Sequence, residues 1–156
     1  MKTKLIIAAS FLILHSTFSF SQKDSSGIYF AANDYENHKL SFAINCTTQK
    51  HKIKSDVIFH PKEISIQHAD HTYTYPKDSV YGLKYYDGSI VRIYDQSEYP
   101  LINPDEAILI YKVISGLGGK GSLTITHYYF SRDAKGKILE LTMSNQPSVT
   151  IINSMI

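Results

Sequence analysis

From Leu40 onward, short apolar runs alternate with turn-forming residues along the chain. The strand-like runs are LSFAINC (40–46), KIKS (52–55), EISIQH (63–68), HTYTY (71–75), SVYGLKYY (79–86), SIVRIYD (89–95), AILIYKVIS (107–115), SLTITHYYFS (122–131) and KILELTM (137–143). Gly, Pro, Asp and Asn punctuate them, and no long stretch has a helical period. This pattern predicts an all-β fold, an antiparallel meander that forms a small barrel or a sandwich.

The segment before Leu40 has a weaker pattern. Residues 22–27, QKDSSG, are polar and are predicted to be loose. In the following GIYFAANDYENHKL, Asn33 and Asp34 favour a turn or a short helical piece, too short to be stable alone.

Asp87 and Gly88 lie between two apolar runs, which is a strong sequence signal for a β-hairpin. A two-residue turn would pair Tyr86 with Ser89. A three-residue loop, with Gly88 in the left-handed position, would pair Tyr85 with Ser89 instead. The second register separates apolar from polar side chains better, and burial of one face specifies register strongly. We therefore predict the bulged hairpin, with Gly88 at positive φ.

This register assigns the hairpin side chains to two faces. One face carries Tyr81, Leu83, Tyr85, Val91 and Ile93, and the other carries Gly82, Lys84, Ile90, Arg92 and Tyr94. We expect the first face to be buried, so that Leu83 and Val91 are less exposed than Lys84 and Arg92.

The first 22 residues, MKTKLIIAASFLILHSTFSFSQ, have the pattern of a secretory signal peptide. Lys2 and Lys4 form a basic start, a short apolar run follows, and Ser19 and Ser21 place small residues before a cleavage site at Gln22. The apolar run is about half of the roughly 20 residues that a membrane-spanning helix needs. We expect residues 1–21 to be removed and residues 22–156 to form a single secreted or periplasmic domain without a transmembrane anchor.

Charge and cysteine content narrow the function classes. Without Lys2 and Lys4, 14 of the 16 basic residues remain against 14 acidic residues, so the mature chain is neutral. No basic cluster suggests a nucleic-acid partner. Cys46 is the single cysteine, which excludes an intramolecular disulfide. It is interpreted as a small buried residue, with a reactive thiol or an intermolecular bridge as the alternative.

All 12 tyrosines follow the predicted cleavage site. Tyrosine has an apolar ring and a polar tip, so it suits both half-buried strands and aromatic binding surfaces. Four residues around the hairpin are the candidates for a ligand-binding face. They are Tyr81, Tyr85, Arg92 and Tyr94. Ordinary strand composition is the alternative explanation for these tyrosines.

The sequence offers little support for known metal-binding, phosphate-binding or catalytic motifs. HADH places His68 and His71 three residues apart, which makes them candidate metal ligands, but a hairpin turn at Ala69 and Asp70 explains the motif more simply. SGLGGKGS (115–122) lacks the Ser or Thr that directly follows Lys in a phosphate-binding loop, and a strand-like run follows it. No catalytic residue, cofactor or structural metal is predicted.

Several stretches together resemble a family of small secreted proteins of Bacteroidetes-type bacteria. They are SGIYFAANDYENHKLSFAINC, HKIK, KDSVYGLKYYDGSIVRIYD and YYFSRDAKGKILELT, and the resemblance extends to about Thr142. It implies export and a shared β-rich fold, and no activity. Relatives continue into a longer polar and helical tail, so the end of this chain is interpreted as a natural short form or a truncation. Residues 144–156 are either an added strand or a loosely packed tail, and the mismatch with the relatives favours the loose tail.

The sequence thus leaves three functional hypotheses. The first is a non-catalytic binding or structural role, with a partner at the cell envelope. The second is a small-ligand module that binds a sugar or peptide on a tyrosine-rich face. The third is a hydrolase without a recognisable motif, for which converging carboxylates or histidines would be needed.

Overall fold

The protein is described here from a computed structural model, which covers residues 25–45, 51–55, 62–116 and 124–142. The strands are β1 (Ser25–Tyr29), β2 (Phe42–Asn45), β3 (His51–Ser55), β4 (Glu63–His68), β5 (His71–Pro76), β6 (Gly82–Lys84), β7 (Ile90–Tyr94), β8 (Ser97–Leu101), β9 (Leu109–Gly116), β10 (Thr124–Ser131) and β11 (Leu139–Glu140). A short helix α1 (Ala32–Glu36) follows β1, and a 3-10 turn (Lys77–Ser79) follows β5. The predicted leader, Cys46, residues 117–123 and the tail 144–156 lie outside the described residues.

The strands form two antiparallel sheets. The larger sheet has the order β11-β10-β9-β8-β7-β6-β1-β2, and the smaller one has the order β3-β4-β5. From β6 to β11 each strand pairs with the next along the chain, which is a meander. Among the described strands, the larger sheet ends at β11 and β2 and is not closed on itself. The predicted all-β antiparallel meander is therefore confirmed, and of the two alternatives the layered one is correct.

The hairpin at Asp87 and Gly88 has the predicted register. Tyr85 N donates to the Ser89 carbonyl at 2.9 Å, and Gly88 N donates to the Tyr85 carbonyl at 3.0 Å. Gly88 has φ 86°, so the left-handed position is confirmed. Asp87 Oδ1 accepts hydrogen bonds from the Ser89 hydroxyl and backbone N–H, at 2.6 and 2.9 Å. These bonds favour the carboxylate and hold the pKa of Asp87 below its ordinary value.

Two strands differ from the sequence prediction. Residues 25–27 were expected to be loose, yet they begin β1, which pairs with both β2 and β6. No strand was predicted between residues 95 and 107, yet β8 forms there and Pro100 lies opposite Val91. Ser, Gly and Pro give weak strand signals, and here hydrogen-bonded pairing with neighbouring strands outweighs local propensity. The short helical piece near Asn33 is confirmed by α1.

The buried apolar residues form two clusters on opposite faces of the larger sheet. The inter-sheet cluster fills the space between the two sheets and contains Ile28, Ile44, Ile64, Ile66, Val80, Leu83, Val91 and Ile93. The tyrosine cluster is on the other face and contains Tyr29, Tyr35, Leu40, Leu109, Tyr111, Ala134 and Ile138, with Tyr81, Tyr94, Tyr99 and Tyr129 packed against it. Because Tyr35 comes from α1 and Ala134 and Ile138 follow β10, these segments cover the tyrosine face.

Candidate functional site

Arg92 on β7 lies in the middle of the tyrosine face. Its Nη1 donates to the Tyr111 hydroxyl at 3.0 Å and to the Ser131 hydroxyl at 3.1 Å, and its Nη2 donates to the Gly136 carbonyl at 2.8 Å. The guanidinium carbon is 5.1 Å from the ring centre of Tyr81 and 5.5 Å from that of Tyr94, within the range of cation–π attraction. This cation is thus held by hydroxyls, a carbonyl and aromatic rings.

Within the described ranges, Arg92 forms no ion pair with a carboxylate, and its buried Nε has no hydrogen-bond partner. Removing a guanidinium from water is costly unless other groups replace the lost hydration. The three hydrogen bonds and two ring contacts replace part of it. Because these contacts join β7 to β9, β10 and the loop after β10, we assign Arg92 a structural role.

The prediction that Arg92 is more exposed than both Leu83 and Val91 is wrong. Its side chain is 5% exposed, against 9% for Val91, so it is not on a solvated face. Leu83, Val91 and Lys84 do follow the expected order of burial. Arg92 was predicted to be exposed because charged side chains are usually solvated. Here tyrosine hydroxyls and rings provide a buried environment for its guanidinium.

The four candidate ligand residues do not share one surface. Tyr81 packs with Arg92 and Tyr94 in the tyrosine cluster, whereas Tyr85 packs against the inter-sheet cluster. Tyr81 was expected on the Tyr85 face, and that assignment is wrong. Val80 and Leu83 both enter the inter-sheet cluster although they are three residues apart. The strict alternation of side chains between the two faces of the sheet is therefore broken at the start of β6, and Tyr81 lies on the face of the tyrosine cluster.

The phenol groups of the tyrosine face are shielded from water. Burial raises the pKa of Tyr81 and Tyr35 well above the ordinary tyrosine value. At Tyr81 the Arg92 charge opposes this effect, and at Tyr35 the neighbouring Tyr111 and Asp105 add to it. Burial likewise raises the pKa of Tyr29. These phenols stay protonated at neutral pH and act as packed, hydrogen-bonded groups.

An open groove of about 530 Å³ lies beside the tyrosine cluster. Three separate segments line it. They are the end of α1 (Tyr35, Glu36, His38), the loop between β8 and β9 (Pro104, Asp105, Glu106, Ala107, with Leu109) and the loop after β10 (Arg132, Asp133, Ala134). The floor is apolar, because Tyr35, Leu109 and Ala134 are buried, whereas the charged side chains are exposed and form the rim.

Hydrogen bonds hold the walls of this groove. The Tyr35 hydroxyl donates to the Pro104 carbonyl at 2.7 Å, which joins α1 to the loop before β9. Asp133 Oδ1 accepts from Lys135 N at 2.8 Å and Gly136 N at 2.6 Å, which closes a tight turn. Since Arg92 binds the Gly136 carbonyl, this wall is attached to the tyrosine cluster.

No sequence motif predicted the groove. Its residues come from segments far apart in the chain, as the 69-residue separation of Tyr35 and Pro104 shows. Its lining includes no motif with a fixed spacing. The one usable signal was the run of turn residues around Pro104, since binding residues are often on loops that a rigid scaffold positions.

A second, smaller cavity lies at the hairpin. This slot has a volume of about 150 Å³ and is lined by Ser26, Lys52, Ile53, Tyr85 and Tyr86. Burial is the main cause that raises the pKa of Tyr85, with smaller contributions from Glu98 and Asp87. The structure therefore brings one of the candidate tyrosines, Tyr85, to a cavity.

The candidate metal ligands occupy the predicted hairpin turn. His68 ends β4, His71 begins β5, and the two are direct partners in the antiparallel register. Ala69 at the turn has φ 52°. Among residues 25–45, 51–55, 62–116 and 124–142, no group of three His, Cys, Asp or Glu side chains converges as a metal site would require.

Comparisons with known proteins found no match among family models, curated proteins or solved structures. The resemblance to secreted proteins of Bacteroidetes-type bacteria therefore stays a prediction. In the described ranges, no helix has the length and apolar character needed to cross a membrane.

Proposed function

We propose that this protein is a non-catalytic binding protein whose ligand occupies the groove between α1 and the loops around Pro104 and Asp133. The observation that carries this proposal is the groove itself. Its volume of about 530 Å³ falls within the roughly 300–1,000 Å³ that is typical of small-molecule sites.

The lining supports binding of a small ligand or a short peptide segment. An apolar floor formed by Tyr35 and Leu109 can shield the apolar part of a ligand from water. The charged groups of the rim can fix its orientation through hydrogen bonds. The carboxylates are on Glu36, Asp105, Glu106 and Asp133, and Arg132 supplies a guanidinium.

The walls are organised before a ligand arrives. Glu36 is paired with Lys135 at 3.3 Å, and the Tyr35 hydroxyl donates to the Pro104 carbonyl at 2.7 Å. A preorganised site loses less conformational entropy when it binds. The groove is also favoured over the tyrosine face because the Arg92 side chain is buried there, with its guanidinium bonded to other parts of the protein.

The location of this activity is a separate part of the proposal. The leader pattern in residues 1–21 supports export, and we propose that the protein acts at the cell envelope or outside the cell. Intact mass of the protein recovered from expressing cells tests this directly. A mature chain that begins at Gln22 supports it, and retention of the leader contradicts it.

A ligand screen tests the groove. The full mature chain is exposed to a mixed library of small molecules and short peptides, and binding is followed by nuclear magnetic resonance. Ala107→Trp should abolish binding, because Ala107 lines the groove and an indole would fill it. Ala43→Trp is the matched control, since Ala43 is exposed on β2 and does not line the groove.

Three results would contradict the proposal. If no compound of the library binds, the proposal that the groove is a ligand site is contradicted. Equal binding by Ala107→Trp and wild type would place the ligand elsewhere. Conversion of a bound compound into a product would show that the protein is an enzyme.

A further inference from the structure

The slot beside the hairpin is the open end of the inter-sheet core. Ser26 precedes Ile28 on the same face of β1, and Tyr85 follows Leu83 on the same face of the hairpin. Ile53 on β3 covers them from the smaller sheet. Within the described residues, the apolar interior therefore reaches the surface between Tyr85 and Ile53.

The size of the slot restricts what it can hold. A cavity of about 150 Å³ is suited to one six-membered ring, since an apolar cavity of that size binds benzene in another protein. The exposed surface of its lining is mainly apolar, and Tyr85 and Tyr86 both contribute. Aromatic side chains favour offset or edge-to-face contacts with another ring, which adds selectivity for a planar ligand.

Charge at the opening restricts the ligand further. Lys52 lines the slot with an exposed ammonium group, and it forms no ion pair within the described part of the chain. The two carboxylates that act electrostatically on Tyr85, those of Glu98 and Asp87, are already engaged. Glu98 is bound by Lys77 at 2.7 Å and by the Ser55 hydroxyl, and Asp87 is bound by Ser89. Among the described residues that line the slot, Lys52 therefore supplies an unpaired charge.

We propose that the slot binds a single planar ring that carries an anionic group, as in an aromatic carboxylate. The ring enters between Tyr85 and Ile53, and the carboxylate faces Lys52 at the opening. This site is separate from the groove, and it does not depend on the function proposed for the groove.

The test uses three probes of one shape and different charge: benzoate, benzyl alcohol and benzylamine. Each is titrated into the mature wild-type chain, and chemical shifts of Ile53, Tyr85 and Lys52 are followed. Benzoate should bind with a Kd of about 1 mM, as expected for a ligand of this size. Benzyl alcohol should bind more weakly, and benzylamine more weakly still.

Lys52→Gln should weaken benzoate binding about two- to fivefold, the range expected for an exposed ion pair, and leave benzyl alcohol unchanged. Lys54→Gln is the matched control, because Lys54 is exposed on the same strand and does not line the slot. Ile53→Phe should fill the slot and abolish binding of all three probes. The melting temperature of Ile53→Phe is measured as well. If Ile53→Phe fails to fold, Lys52→Gln provides the test.

The proposal is overturned if benzoate causes no shifts at the slot. It is also overturned if benzylamine binds as tightly as benzoate, or if Lys52→Gln and Lys54→Gln behave alike. If a compound of the library binds in the groove and benzoate does not bind, the slot proposal alone is refuted. If benzoate binds and no library compound does, the groove proposal alone is refuted.

Discussion

Arg92 Nη1 and the Tyr111 hydroxyl are 3.0 Å apart, although β8 lies between their two strands in the sheet. The same nitrogen reaches Ser131, whose hydroxyl is 2.9 Å from that of Tyr111. A guanidinium is long and planar enough to span this distance with several donors at once. The bond therefore connects strands that the backbone ladder does not pair directly.

Replacement of Arg92 should destabilise the fold. Arg92→Met should lower the free energy of unfolding by about 1–3 kcal/mol, because the Gly136 carbonyl loses its donor and two ring contacts disappear. Arg92→Lys should cost at least as much, since an ammonium stays buried with fewer partners. Urea unfolding measures both, with exposed Arg132→Met as the control. A wild-type midpoint for Arg92→Lys would contradict the structural role.

The two hairpin turns should respond to mutation in opposite directions. Gly88→Ala should destabilise by about 1–2 kcal/mol, since a Cβ disfavours positive φ and has no neighbour within 4 Å to compensate. Ala69→Gly should stabilise by about 0.5–1 kcal/mol, because Ala69 is already at φ 52°. Thermal melts compare the two variants. An unchanged melting temperature for Gly88→Ala would count against this turn.

Stability should decrease at alkaline pH because of the buried phenols. The folded state raises the pKa of Tyr81, so its protonated form persists where the unfolded chain ionises. The unfolded state then binds fewer protons, and the free energy of unfolding falls as pH rises above about 10, with the full contribution present below that value. Tyr81→Phe should make the decline shallower, by at most about 1.4 kcal/mol per pH unit. Urea unfolding at several alkaline pH values measures the slope, and identical slopes would refute this.

Metal removal should leave stability unchanged. The turn that joins His68 to His71 brings two imidazoles opposite each other, which is fewer than the ligands a structural zinc site uses. Thermal melts of the mature chain with and without a chelator should coincide. A large loss of stability with the chelator would identify His68 and His71 as ligands with partners elsewhere in the chain.

Local sequence signals predicted most of the strands because turn residues and alternation are local properties. Gly88 and the Ala69 turn were readable for this reason, and the register at Tyr85 followed from one-sided burial. β1 was missed because one of its partners, β6, is far away in the chain. β8 pairs with the adjacent β7, and it was missed because Pro100 and the polar Ser97 and Glu98 weaken its strand signal. Ser26, for example, is buried although it is polar, and it lies on β1, a strand that pairs with both β2 and β6.

The candidate sites were less predictable for the same physical reason. Arg92 was selected as a possible ligand contact, but its burial depends on Ser131 and Gly136, which no local pattern connects to β7. Tyr85 was selected as well, and the structure places it at the slot. The groove depends on the juxtaposition of three loops, which spacing along a single sequence does not reveal.

The central claim is that the open groove binds a ligand while the closed Arg92 face does not. Nuclear magnetic resonance mapping of a compound from the groove library tests it most directly. The account predicts chemical-shift changes at the Ala107 and Ala134 methyl groups, which line the groove, with the Arg92 Nε–H signal unchanged. Shifts centred on Arg92 and Tyr94, with none at Ala107, would contradict it.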